Sequence, residues 1–175
     1  YIDEGSNTSI YSKSHETTVV KIETDTGIIG WGEAQSPVSP NTSATIIKDI
    51  VTPLTIGKNI FDVEAIWHKN YAAKRERGHY TGFYIDAICG VDIAIWDAIG
   101  KALNMSTAQA MGGIHRNNVP LYNGIGGTIP EEVADQAEWS VGKGYKYLKM
   151  HLKEDLEKTI EIVTKVRERV GESIG

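Results

Sequence analysis

The last third of the chain alternates strand, helix, strand, helix, and this order limits the possible folds more than any other feature. "VPLYN" (Val119 to Asn123) has the pattern of a short strand and leads into the glycine-rich "GIGG" (Gly124 to Gly127). Thr128 with Glu131 has the form of a capping box, and Pro130 sits in the first turn of a helix reaching about Val141. Gly144 punctuates that helix. A strand over Lys146–Leu152 follows, then a second helix from about Asp155 to Val170. Leu156, Ile160, Val163, Val166 and Val170 share one side of it at helical spacing. Glu154 and Asp155 open this helix while Arg167 and Arg169 close it, as the helix dipole prefers. Two such units in about 50 residues begin a parallel α/β array. Two units cannot close a sheet or cover both its faces, and a complete eight-fold barrel takes about 250 residues.

The preceding residues follow a different grammar. "TTVVKIETDTGIIGWGE" (17–33) holds two β-rich runs around Asp25-Thr26-Gly27, a hairpin signal. Three helices are expected next. One covers about Thr42 to Val51 and is stopped by Pro53; another starts at Asp62 as N-cap and continues to about Lys74. The third, about Thr81 to Leu103, is apolar around most of its circumference and is the expected central buried helix, ended by Asn104. The expected fold class is therefore an α+β domain (a β-hairpin followed by helices) over residues 1–113. The opening of an α/β barrel, incomplete in this chain, occupies 114–175.

The 175 residues carry a net charge of −5 and no basic stripe. That argues against nucleic acid and membrane surfaces as partners, since nothing could neutralise their phosphates. The run "KRERGH" (Lys74 to His79) is interrupted by Glu76 and reads as a solvated loop. Cys89 is the only cysteine, so no intrachain disulfide is possible; its apolar helical setting predicts a buried, inert thiol. The N-terminus lacks the basic and apolar regions of a signal peptide, and three aspartates inside 80–103 argue against a membrane span. A cytoplasmic, reducing location is expected by default.

Candidate sites are few. Asp86, Asp92 and Asp97 cluster in sequence but lie about 120° and 140° apart around their helix, so they do not converge on a metal; Asp97 is better placed to pair with Lys101. The histidines His15, His68, His79 and His115 show no metal-ligand spacing. "GIGG" precedes a helix and could cradle an anion, though it matches neither the dinucleotide nor the phosphate-loop pattern. The pair Lys149 and His151 in "GYKYLKMHLK" stands out. Two residues apart on a strand, they project from one face, while Leu148, Met150 and Leu152 project from the other. Both lie near the carboxyl end of a parallel strand, where a barrel carries its chemistry. A lysine beside a second cationic group tends to have a depressed pKa, and either group can move protons near neutrality.

Several segments together resemble the mandelate racemase and muconate-lactonising enzyme group of the enolase superfamily. "VVKIETDTGIIGWGEA" is similar to the second and third strands of its capping domain, and "AICGVDIAIWDAIGKALNMSTAQAMGG" to its long signature helix and the segment after it. "VPLYNGIGG" and "GYKYLKMHLK" match the first two barrel strands. The resemblance implies a Mg²⁺-dependent enzyme that removes the proton α to a substrate carboxylate, giving an enediolate, with Lys or His bases. The second strand commonly carries Lys-x-Lys; by position, Lys149 is the electrostatic helper and His151 the base. The Lys-to-His departure sets this chain apart from a simple lysine–histidine racemase. The metal ligands belong to the third, fourth and fifth barrel strands, so no residue of this chain is assigned to the metal. The loops Gly5–His15 and Gln35–Pro40 correspond to those that close over the substrate. Their polarity suits a hydroxylated acid.

The expected function is therefore that of an acid-sugar dehydratase, with this chain its N-terminal half and inactive in isolation. A small carboxylate is the expected partner, and a homo-oligomer the expected full-length form. Racemase, epimerase and cycloisomerase outcomes belong to the same family. A Schiff-base lyase using Lys149 as nucleophile and a truncated module without chemistry are the rivals of other classes.

Overall fold

The computed structural model describes residues 2–4, 10–12, 16–36, 38–152 and 154–175. His15, Pro37 and Lys153 lie outside the described residues, as does most of the loop Gly5–His15. The chain divides into two compact units, Tyr1–Ile114 and His115–Gly175.

In the first unit a short antiparallel pair, β1 (Ile2–Glu4) and β2 (Ile10–Ser12), precedes the expected hairpin. Its strands are β3 (Thr18–Glu23) and β4 (Ile29–Ala34), in register from Thr18↔Ala34 to Glu23↔Ile29. Thr24 closes the turn: its carbonyl accepts from the Gly27 N–H and its hydroxyl from the Ile28 N–H, both at 3.0 Å. Gly27 takes a φ of +81°, which L residues rarely adopt.

Pro53 does not stop the next helix. α1 (Pro40–Ile46) runs through a π turn (Ile47–Val51) into α2 (Thr52–Thr55). A proline lacks the N–H and crowds the carbonyl four residues back. Here the backbone widens just ahead of it, so the Thr52 N–H reaches the Ile47 carbonyl, five residues back. The helix then ends at Thr55, because Ile56 turns to ψ 139°. Asp62 does precede α3 (Val63–Arg75), but its side chain caps nothing. Asn59 does the capping one turn earlier, accepting the Phe61 N–H at 3.0 Å to start a 3₁₀ turn over Ile60–Asp62.

α4 (Phe83–Ala102) is the central helix, burying Ile88, Val91, Ile95 and Ile99 against Val20, Val51, Val63 and Ile66. Asn104 ends it with a φ of +52°. The helix touches β4 backbone to backbone. A Cβ on Gly30 would lie 2.0 Å from the Ala94 carbonyl oxygen, and one on Gly32 would lie 2.1 Å from that of Gly90. The alternating Gly30, Gly32 and Ala34 therefore meet Gly90, Ala94 and Ala98, one small residue per helical turn. The expected Asp97–Lys101 pair forms at 2.6 Å. It also covers the outer edge of β4, with Asp97 accepting the Trp31 N–H at 2.8 Å and Lys101 donating to the Ile29 carbonyl at 2.8 Å. The Lys101 and Trp31 donors hold the Asp97 carboxyl below the usual carboxylate range.

Cys89 is exposed rather than buried, because it faces away from the strands that α4 covers. Its expected inertness has another basis: partial desolvation, then the carboxylates of Asp92 and Asp86, push the thiol up. The loop after α4 folds into a short helix, α5 (Thr107–Ala110), with a reciprocal capping box between Ser106 and Gln109.

The second unit holds β5 (Tyr122–Ile125), α6 (Pro130–Gly142), β6 (Tyr147–Met150) and α7 (Leu156–Val170), with β5 and β6 parallel. The first strand starts later than expected. Val119 and Leu121 are 69% and 68% exposed and unpaired in the sheet, while Gly124 and Ile125 of "GIGG" belong to the strand. The capping box does not form either, since Ile129 is the N-cap and no side chain caps the helix. Glu131 instead joins α6 to α7 through Lys165 (2.7 Å) and Arg169 (2.9 Å). On α7 the buried row is Ile162 and Val166, with Val170 partly buried, packed on Val133, Ala134 and Ala137 of α6 and Ile125 of β5. Leu156 (74% exposed) and Ile160 (56%) of the expected stripe face out. Arg169 also pairs with Asp135 (2.6 Å) and Glu138 (3.0 Å) of α6. Asp155 caps α7 by accepting the Lys158 N–H at 2.8 Å. At the end of the chain the Gly175 N–H donates to Lys146 (3.0 Å) and its carbonyl accepts from Leu148 (2.8 Å), flanking Tyr147 as a parallel neighbour of β6 would.

Candidate active site

Strand alternation in the second unit separates a packed face from an open one. Ile125 of β5 and Leu148, Met150 and Leu152 of the second strand segment belong to the apolar cluster under α6 and α7. Asn123 also points to α6, where its amide donates to the buried Ser140 hydroxyl at 2.8 Å. That hydroxyl donates in turn to the Gln136 carbonyl at 2.6 Å. These contacts fix the parity of both strands, so Tyr122 and Gly124 on β5, and Tyr147, Lys149 and His151 on β6 and its continuation, fall on the face away from the helices.

The register arranges this face in rows. Tyr122 stands level with Tyr147, and Gly124 level with Lys149. One step beyond the ladder Gly126 lies beside His151, for a Cβ on Gly126 would be 3.8 Å from the His151 carbonyl oxygen. Thus an aromatic pair is followed by two rows that each hold one nitrogen-bearing side chain opposite a glycine. Lys149 leans back over the aromatic row, its Nζ 5.6 Å from the centre of the Tyr122 ring, within reach of a cation–π attraction. A Cβ on Gly124 would meet nothing within 4 Å. Lys149 and His151 are both exposed, so their immediate surroundings do not create a dry site.

Gln136 of α6 anchors the glycine side of the rows. Its amide nitrogen donates to the Gly126 carbonyl at 3.0 Å and its amide oxygen accepts the Gly126 N–H at 3.2 Å. This pair of hydrogen bonds uses one of the donors that an anion at "GIGG" would need, and Pro130 removes another from the start of α6. An open groove of about 530 Å³ runs beside β5 and α6 between Asn123, Gln136 and Trp139, yet neither Lys149 nor His151 lines it.

The other titratable candidates do not come together. His68 and His79 are exposed and rest near Trp67 and Tyr84 respectively, and His115 is exposed. Asp92 is held above the usual carboxylate range by desolvation and then by Glu64. Among the described residues no group of three or more His, Cys, Asp or Glu could hold a metal ion. The described residues therefore do not by themselves make a metal site. No helix among them is long and apolar enough to cross a membrane. Sequence reasoning singled out Lys149 and His151 but missed Tyr122, Gly124 and Gln136 as their neighbours. The signal for the last two was the strand continuing into "GIGG".

Comparison with known proteins places these features in a family. Residues 6–112, more than half of the chain, match the mandelate racemase / muconate lactonizing enzyme N-terminal domain. A protein of Verminephrobacter eiseniae named D-galactonate dehydratase is 34% identical over 141 residues, covering 78% of this chain and 35% of that protein. A protein of the same name from Pectobacterium atrosepticum is 32% identical over 168 residues, covering 89% and 42%. A solved member of the enolase superfamily from Agrobacterium tumefaciens superposes with a TM-score of 0.84 at 25% identity, over 96% of this chain and 43% of that one. The chain thus spans less than half the length of the curated relatives it matches. With its capping hairpin, long helix and first βα units accounted for, the chain belongs to the mandelate racemase / muconate lactonizing enzyme family of the enolase superfamily.

Proposed function

We propose that this chain forms the N-terminal part of an acid-sugar dehydratase, in which Lys149 and His151 act on the carboxylate end of the substrate. The observation that carries the reading is the shared open face of Lys149 and His151 on a parallel strand, in a chain similar to proteins named D-galactonate dehydratase. Family membership implies Mg²⁺, whose ligands are not among the described residues. The Lys149 ammonium offsets the charge of the substrate carboxylate. His151 takes the proton from C2; the C–H electron pair becomes the C1=C2 bond while the carboxylate π pair moves onto oxygen, and an enediolate forms. Collapse of the enediolate expels the C3 hydroxyl, which leaves as water with the proton that His151 took from C2. The 175 residues alone are expected to be inactive, and the full protein to be a homo-oligomer.

The test uses the natural protein, D-galactonate and a panel of other sugar acids in D₂O, with C2 exchange and loss of water followed by proton NMR. His151→Asn is expected to slow C2 exchange by about 10²–10⁴-fold, and Lys149→Met to raise KM and lower kcat/KM. Unchanged rates in both variants sink the proposal. Exchange that persists in His151→Asn while water loss stops would move His151 from C2 to the departing hydroxyl. Borohydride reduction in the presence of a carbonyl substrate checks the rival chemistry; an adduct on Lys149 would favour the Schiff-base lyase.

A further inference from the structure

In the first unit α2, α3 and α4 meet around Asn70, a polar residue buried in the core. Its amide nitrogen donates to the Thr55 hydroxyl of α2 at 3.2 Å and to the Ile66 carbonyl of α3 at 3.0 Å. Its main-chain carbonyl accepts the Tyr84 hydroxyl of α4 at 2.6 Å. Both side-chain N–H groups are thus used, and a main-chain carbonyl only accepts, so the amide cannot be turned over without losing the Ile66 bond. Its Oδ1 is left buried with no donor among the described residues. An acceptor in that position is costly, and native interiors pair nearly all such atoms with protein or with ordered water. Asn70 lines a cavity of about 10 Å³, walled by Val51 at the end of the π turn and by Ile88, Val91 and Asp92 of α4. That volume is close to the least that holds one water, about 10–15 Å³, and it excludes any organic ligand. We infer that this cavity is a built water site, in which one internal water donates to Asn70 Oδ1 and to the Asp92 carboxylate and so joins α3 to α4. The Asp92 side is suited to it. Desolvation, and then the Glu64 charge, hold that carboxyl above the usual range, and a water donating to it returns part of the hydration it has lost. Every wall of the cavity belongs to the first unit, and the water site is independent of the chemistry proposed above.

The experiment is a crystal structure of the natural protein at a resolution that shows ordered water, repeated on Asn70→Leu. A single peak is expected about 2.6–3.0 Å from Asn70 Oδ1 and from an Asp92 carboxylate oxygen. It should vanish in Asn70→Leu, which keeps the branched shape but offers no acceptor, and oxygen-17 relaxation dispersion should count one long-lived water fewer in that variant. The natural protein alone decides whether the water is there, should Asn70→Leu fail to fold. No peak at Oδ1, or a protein donor turned onto it, overturns the inference. A peak that touches Oδ1 but not Asp92 overturns the bridge between the helices. Several oxygens at about 2.3–2.6 Å around the peak would mark a metal cation and overturn the assignment to water. A peak that survives Asn70→Leu shows that Asn70 does not hold it, which overturns the inference as well.

Discussion

Gly32→Ala tests whether helix and strand truly touch backbone to backbone. The added methyl would sit 2.1 Å from the Gly90 carbonyl oxygen, 2.7 Å from the Ala94 nitrogen and 3.2 Å from the Ala94 Cβ. The nearest two obstacles are backbone atoms in mid-helix, so no rotamer change relieves them. α4 must retreat by about 1 Å, and a gap of that size forfeits roughly a quarter to a half of each contact's attraction. The same helix carries the contacts of Ile88, Val91, Ile95 and Ile99 to the rest of the core. Overpacking costs about 1–3 kcal/mol, and with a rigid obstacle the upper end, about 3 kcal/mol, applies. For a unit of this size that lowers Tm by on the order of 15 °C. The assay is a thermal melt followed by near-ultraviolet circular dichroism. Ala94→Gly in the same chain should give no rescue, because the first clash is with the Gly90 carbonyl. A Tm unchanged within error, or full rescue by Ala94→Gly, would refute the close-contact argument.

Asp97→Ala removes the acceptor of the Trp31 N–H and the partner of Lys101, and should cost about 1 kcal/mol in urea unfolding. Because the folded pKa of Asp97 is depressed, its contribution is present above the unfolded value of about 3.9 and fades as pH falls through the lower folded value. Asp97→Asn should therefore flatten that part of the acid limb, and an unaltered limb would contradict the pairing. Asp92 has the opposite sign, its folded pKa being raised by desolvation and Glu64. Asp92→Asn should raise Tm at pH 7 and change nothing below about pH 3.9, where both states are protonated; destabilisation at pH 7 would count against it. Arg169→Ala removes the links to Glu131, Asp135 and Glu138. Its Tm deficit should shrink in 1 M salt, where the Debye length is about 3 Å; a deficit independent of salt would point to packing instead.

The hairpin, the central helix and the two βα units were legible in the sequence because each rests on local pattern. The errors share a cause as well. Pro53 looked like a stop because a local rule was applied where the backbone could widen into a π turn. Thr128 and Glu131 had the spacing of a capping box, but Glu131 is engaged by Lys165 and Arg169, more than thirty residues away. Cys89 lay in an apolar run but on its exposed side. In each case a tertiary contact, or the lack of one, overrode a sound local expectation. The contact between β4 and α4 did leave a trace: small residues at every second position of a strand and at every fourth of a helix can be recognised before any coordinates exist.

Strands and helices also differ in how much of a site they disclose. A strand has two faces, so the parity of Leu148, Met150 and Leu152 was enough to assign Lys149 and His151 to the other side. A helix offers a full circle, and on α7 two neighbouring apolar rows competed; the row of Ile162, Val166 and Val170 packs inward while Leu156 and Ile160 stay exposed. What stands opposite Lys149 is harder still, because register depends on hydrogen bonds between strands some twenty-five residues apart. Ending β5 at Asn123 would leave the sheet nothing to set against Lys149. The observed strand runs on to Ile125 and sets Gly124 there. The position level with Lys149 is therefore a glycine, and only the paired backbone reveals it.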